Sequence, residues 1–472
     1  MPVDTKHQDY AKKAKAWQVM RDTIAGQDEV MERGTDYLPM LGGQEKESYL
    51  KYLKRANYYN ATGRTIDGLR GMVFRKDPII EVPEALEKLL ENVDGNGTPV
   101  ATFMENLVGE ILSLNRVGVL VDFPETPSVR LTQAQAEAAG RQPFLAMYRA
   151  EGIVNWRTKA VGNRNVLSMV VLEEIRSTPS SKDKFANVSS TQYRELFIND
   201  EGNYEQNVWI MNKKGTYEVT EKIIPKMNGK ALLEIPFIFF GADSTGMRID
   251  PPLLKDLADV NLGHFRNSAD HEHGLHFAGI PTPVLIGYRP NEGDEPIQLG
   301  GDTLLIIADA GGDAKYLEFT GQGLDTIKTE MSAKEERMAA LGARMLSSEK
   351  AGVESGDALT IKRTGETSML AAVSNNTSLS METVLKIFAM WAGYPSEDIG
   401  VKLNTDFVAI NMDANSITAW LKTWQSGGIS HGDFVRIIKE GEAIPAERTV
   451  EDIQADIANE EPALGLIVDK EV

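Results

Sequence analysis

Apolar positions in the first forty residues fall at three- and four-residue steps. Tyr10, Ala14, Trp17, Met20 and Ile24 form one stripe among lysines and acids, which predicts a helix. A second helical stripe runs through Tyr52, Tyr59, Ile66, Leu69, Met72 and Val73 and stops before Pro78, which disfavours helix in the preceding residue. Gly63, Gly68 and Gly71 weaken that helix, and tolerance of three glycines predicts another backbone packed close to it. Thr98 followed by Pro99 reads as a cap and first helical residue. The stripe after it is Phe103, Leu107, Ile111 and Leu114, and it breaks at Gly118 into a short buried strand, VLVDFP.

From Pro143 to about Ala242 the texture changes to short runs rich in Val, Ile, Phe and Tyr. FLAMYR, VLSMVVLEEIRS, QYRELFIN, NYEQNVWIM, TYEVTEKII and IPFIFFG are separated by polar turns such as NDEGN and NKKGT, the pattern of an antiparallel sheet with hairpins. The insert TPSSKDKFANVSS reads as a mobile loop. A long helix follows, opened by Pro251 and Pro252, with Leu254, Leu257, Leu262, Phe265 and Ala269 as its apolar points. A compact strand-rich insert separates it from the most regular helix in the chain. There Leu324, Met331, Met338 and Met345 repeat every seven residues with Ile327 and Leu341 between them, a seam that seeks a partner helix. SSEKAGVESGDALTIKR is a polar break before a further helix ending at KIFAMWAGY. Near the end, Ser430 with Asp433 and Thr449 with Asp452 resemble capping boxes, and the acid-rich stretch from Gly441 onward reads as a solvated tail. Helices and strands in separate blocks make the fold class α+β.

Net charge is −19, from 69 acidic against 50 basic residues, so most of the surface repels a phosphate backbone and a tight sequence-reading DNA binder is not the expectation. A wall past which DNA must slide without sticking suits that charge. KKAKAWQVMR and LKRANYY are the basic clusters; the second has tyrosines that could stack on bases, but both read better as polar faces of helices. The chain has no cysteine, which fits a reducing compartment. It has no secretory h-region at its start, and its apolar runs are far short of the roughly 20 residues that span a bilayer.

HFRNSADHEHGLH, residues 264–276, holds four of the six histidines and raises the question of a metal. On a helix His264 and His271 share a face, His273 points to the opposite side and His276 lies off both. The zincin spacing is missing, so a polar helix surface is the expectation; a metal-dependent hydrolase built on His264–His276 is the alternative. Asp256, Asp259, Asp270 and Glu272 read as a solvated face. The sequence contains neither a G-x-x-x-x-G-K-[ST] phosphate loop nor a G-x-S-x-G nucleophile elbow, and no enzyme chemistry or cofactor is expected.

In order and wording, the segments ANYYNATGRTIDGLRGMVFRKDPI, FMENLVGEILSLNRVGVLVDFP, PPLLKDLADVNLGHFRNSADHEHGLHFAGIPTPVLIGY and ESGDALTIKR resemble the portal proteins of tailed bacteriophages over nearly the whole chain. The resemblance implies a portal-type α+β fold: an α/β wing over 1–245, a first stem helix within 246–279, a small α/β clip over 280–322 and a second stem helix over 323–346. A tunnel loop and long wing helix over 347–412 and a short helical crown over 413–472 would complete it. It further implies a homo-oligomeric ring of about twelve subunits at one capsid vertex. The ring would pass double-stranded DNA non-specifically during packaging and ejection, and contact the major capsid protein and scaffold, the terminase large subunit and then a head-tail adaptor or tail protein. Its place would be the virion, after synthesis in the host cytoplasm. By the same resemblance Lys334, Ser347, Ser348, Glu349, Lys350, Glu354 and Ser355 would lie nearest DNA. Tyr288, Arg289, Asn291, Glu292, Asp294 and Glu295 would face terminase and adaptor. Another phage head-tail structural protein is the remaining alternative.

Overall fold

The computed structural model describes residues 2–124, 141–180, 182–227, 229–243, 247–279, 282–286, 305–307, 313–317, 322–346, 368–407, 414–426, 428–440, 452–453 and 455–456. The chain divides into two compact units, Met1–Glu349 with Thr367–Thr405, and Lys350–Glu366 with Asp406–Val472.

In the larger unit α1 (Gln8–Ala25) and α2 (Gln27–Glu32) are separated by Gly26, whose φ of 113° suits glycine alone. The single N-terminal helix expected from the stripe is therefore two. α3 (Lys46–Arg55) and α4 (Ala61–Val73) divide the second expected helix in the same way. Ala56 is extended, and Asn60 Oδ1 accepts the Gly63 N–H at 2.9 Å to cap α4. The predicted close approach holds at Gly63, where a Cβ would lie 2.7 Å from the Ile24 carbonyl oxygen; at Gly68 and Gly71 there is open space.

β1 (Ile79–Glu81) and the short α5 (Glu84–Glu87) lead to α6 (Val100–Leu114). Pro99, one residue later than expected, occupies the cap position, while the Thr98 hydroxyl donates to Asp94 Oδ2 at 2.8 Å and closes the preceding turn. Asn115, in the left-handed region at φ 56°, ends α6. Its side chain accepts the Ala242 N–H at 2.7 Å and donates to the Pro251 carbonyl at 3.1 Å, fixing this corner to the entry of the next long helix.

β2 (Val117–Asp122) pairs antiparallel with β3 (Phe144–Arg149). β4 (Ile153–Val161), β5 (Arg164–Pro179), β6 (Asn187–Ile198), β7 (Tyr204–Met211) and β8 (Tyr217–Ile223) form an antiparallel meander in that order, as the alternating runs predicted. TPSSKDKFANVSS is less of a loop than expected, because β5 continues to Pro179 and β6 starts at Asn187. After the small hairpin of β9 (Lys226–Met227) and β10 (Lys230–Ala231), β11 (Phe237–Phe240) returns to the free side of β2 rather than joining the meander. The close fit there needs Gly118, since a Cβ would come within 2.2 Å of the Phe237 ring.

α7 (Lys255–Gly279) leads to a three-stranded sheet in which β12 (Thr282–Ile286) runs parallel to β13 (Leu305–Ile307) and antiparallel to β14 (Asp313–Leu317). α8 (Gln322–Ala343) follows, and α9 (Met369–Ala392) is capped by Ser368 Oγ on the Ala371 N–H at 3.2 Å and ended by left-handed Gly393. α9 packs on β2, β11 and α6, and β15 (Gly400–Lys402) pairs with β1. The fold is α+β. In the smaller unit α10 (Ala414–Gln425) and α11 (His431–Glu440) pack through stacked Trp424 and Phe434, 5.1 Å between ring centroids. The expected start at Ser430 is present: its Oγ accepts the Asp433 N–H at 3.1 Å and donates to Asp433 Oδ2 at 2.8 Å. The Thr449 start lies outside the described residues.

Candidate functional site

The arrangement that stands out is the pair α7 and α8, joined through the small mixed sheet. α7 buries Leu257, Leu262, Phe265 and Ala269, and Leu262, Phe265 and Ala269 pack into an aromatic core with Tyr37, Tyr49, Tyr52 and Tyr58. Between these apolar points it carries polar side chains that reach the segment joining α3 to α4. Asn261 Oδ1 accepts the Thr62 N–H at 3.1 Å and the Thr62 hydroxyl at 2.9 Å, while its Nδ2 donates to the Tyr59 carbonyl at 2.7 Å. Ser268 Oγ donates to the Asn57 carbonyl at 2.7 Å and accepts the Asn57 N–H at 3.0 Å. The Tyr52 hydroxyl donates to Asp270 Oδ1 at 2.6 Å. Such bonds specify one rotation and one register of the helix, because each broken one strands a desolvated polar group.

The other side of α7 meets α8. Leu257 approaches Gly342, Lys334 crosses Gly263, His264 Nε2 lies 3.1 Å from Glu335 Oε1, and Leu324 lies against Gly274. Rising numbers on one helix meet falling numbers on the other, so the pair is antiparallel. The heptad seam is present at Leu324, Met338 and Met345, all buried, and α7 is the partner helix it required.

The histidines do not form the plain polar surface expected of them. His264 is 3 % exposed and wedged between Glu335 and the tilted ring of Tyr59. His273 stands edge-on to Tyr52 and Phe277, at 5.2 and 4.7 Å between centroids, and burial with nearby Arg55 holds it below the usual imidazole range. Thus the two turn to different neighbours, and among the described residues no group of three or more His, Asp or Glu side chains converges. The inward position of His264 was readable, since it lies seven residues after Leu257 and so on the same stripe.

Of the residues singled out for the DNA path, Lys334 is described. Its ammonium binds Glu330 at 2.9 Å and its stem packs along Gly263, leaving the side chain 21 % exposed. Ser347, Ser348, Glu349, Lys350, Glu354 and Ser355 lie outside the described residues, as do Tyr288, Arg289, Asn291, Glu292, Asp294 and Glu295. Sequence reasoning missed Asn261 and Ser268, the residues that anchor α7. At the end of the pair away from the small sheet, an apolar cavity of about 560 Å³ is lined by Leu253, Leu254, Leu257, Leu341 and Met345 with Arg344 and Asp256 at its polar side. No helix among the described residues is long and apolar enough to cross a membrane.

A family model described as a domain of unknown function (DUF4055) matches residues 252–392, which takes in α7, the small sheet, α8 and α9. No curated protein matches the chain. Among solved structures, the chain is similar to one in the virion of a native gene transfer agent particle, with 14% identity, 84% of this chain and 94% of that chain covered, and a TM-score of 0.39. A chain in the neck of the empty particle, computed with C6 symmetry, gives 13%, 85%, 95% and 0.39. One in the neck of the native particle, computed with C12 symmetry, gives 15%, 80%, 89% and 0.38.

Proposed function

We propose that this chain is the subunit of a portal-type ring of about twelve copies at one vertex of a phage-like capsid, through which double-stranded DNA is packaged and ejected. The antiparallel pair of α7 and α8 carries this reading. The pair is fixed to a large body by buried polar bonds on α7, bears a small sheet at its far end, and leaves most of α8 exposed among the described residues. A channel wall built from side-by-side copies needs such a stave. The acidic balance of the chain supports it, because a wall that repels phosphate lets DNA pass without adhering.

On this reading residues 1–245 form the wing, 246–279 and 323–346 the stem, and 280–322 the clip that meets the terminase large subunit and then an adaptor or tail protein. Residues 347–412 hold the tunnel loop and long wing helix, and 413–472 the crown. The capsid protein and scaffold surround the wing. Lys334, already paired with Glu330, and Lys350 give weak and salt-sensitive contact with DNA. Gold-labelled antibody applied to particles that contain the chain tests the assignment. Label confined to one vertex per particle is expected; label spread over the shell would overturn it.

A further inference from the structure

Two features of the sheet-rich region are left unfinished by their own chain. The first is the far end of the β5–β6 hairpin. β4 leaves β5 at Leu172, and β7 leaves β6 at Gln192, yet β5 and β6 go on pairing from Ile175↔Thr191 to Pro179↔Asn187. Those five pairs make a two-stranded ribbon with both edges open among the described residues. Its large apolar side chains face solvent: Phe185 is 87 %, Ile175 80 % and Val188 54 % exposed. A two-stranded ribbon is marginal in water without a third strand or a covering surface.

The second feature is the outer edge of β3. The Val121 N–H donates to the Pro236 carbonyl on the β11 side, and Leu145, its partner across β2–β3, donates outward to the Val93 carbonyl at 2.7 Å. Alternation along the strand then turns the N–H and C=O of Met147 and Arg149 outward as well. The Met147 N–H and C=O have no backbone partner on that side among the described residues, while the Arg149 carbonyl caps the short 3-10 turn Ala150–Gly152. All six residues of β3 line an open cleft of about 1070 Å³, whose far wall is the root of the ribbon at Glu173–Arg176. Its lining also includes the buried side chains of Phe103 and Leu145, with Lys6, Arg21, Asp94 and Glu151 as charged groups.

We propose that the β5–β6 ribbon of one copy enters this cleft on the next copy and adds a strand to its β3 edge, an inference that rests on the ring reading above. Main-chain bonds to the N–H and C=O of Met147 and to the Arg149 N–H supply the attachment, and Phe185 and Val188 find cover in the cleft. A second copy of this chain is the occupant that the charges favour. The ribbon and its tip carry Arg176, Lys182 and Lys184 against Asp183, a basic arm on a chain whose net charge is −19. An arm that binds an edge other than its own kind makes a head-to-tail contact, the type that closes into rings.

The chain has no cysteine, so single ones report cleanly. Met147→Cys and Val188→Cys chains, prepared separately, mixed and treated with a short bismaleimide, are expected to give a two-chain product on a denaturing gel that neither gives alone. The double variant is expected to give a ladder of multiples. Phe185→Asp on the Val188→Cys chain, at a site too exposed to disturb folding, should lower the mixed product several-fold. A particle of ring mass with no mixed product, or a double variant that links only within one chain, would overturn the arm and leave the ring standing. A particle mass of one or two chains would overturn both.

Discussion

α8 and α9 have nearly equal lengths, 22 and 24 residues, but opposite surroundings. α9 buries twelve residues, Phe388 and Met381 completely, against β2, β11 and α6. α8 buries Leu324 and Met338 and exposes its charged faces. The sequences already differ in kind: α9 is apolar and small-residue rich, suited to cover on all sides, whereas α8 has one narrow seam between acids and bases. One is held by the core of its own chain. Among the described residues the other is held along a single line, and its remaining faces are exposed.

The sharpest way to break that contrast is to cut at both helices. Phe388→Ala should cost about 3–5 kcal/mol of chain stability, because the cavity left inside the α9 packing cannot collapse fully; urea unfolding measures it. His264→Ala should cost roughly 1–3 kcal/mol, since it removes a buried ring and leaves its space unfilled at the one line that holds α8. A loss in that variant as large as in Phe388→Ala would show that the pair is as tightly built as the core. Glu336→Ala, on the exposed face of α8 away from the seam, should change chain stability by no more than about 0.5 kcal/mol while weakening the assembled particle. Comparing urea midpoints with particle mass on dilution separates the two effects.

The smallest effect is a pH dependence at the joint of α3 and α7. His273 has its folded pKa below the ordinary value of 6.5, chiefly through burial, with Arg55 and His276 adding to it and Asp270 opposing. The unfolded state therefore binds the proton more readily, and stability present above 6.5 is lost as pH falls through the folded pKa. His273→Phe should reduce the acid loss measured between about pH 7.5 and about pH 5, by a small amount because the ring is partly exposed.

The alternating runs from Pro143 onward and the seven-residue repeat in α8 were legible because burial of one face imposes period directly on sequence. What escaped was local. The Ala56–Asn60 segment splits a helix whose stripe runs on across the break, since a stripe records which face is buried and not whether the backbone is continuous. The length of the β5–β6 ribbon was hidden because its exposed polar residues lack alternation and resemble a loop. At the helix pair, the need for a partner helix was foreseen, but its identity as the antiparallel α7, the burial of His264 and the anchoring roles of Asn261 and Ser268 were not. Asn261 and Ser268 are recognisable as anchors only once their partners, 199 and 211 residues away in sequence, are in place.

The most direct measurement is the particle mass of the purified chain, taken together with negative-stain images of the same sample. The account predicts closed rings of about twelve chains around a central hole wide enough for duplex DNA. A compact species of one or two chains that stays so as concentration rises would contradict it.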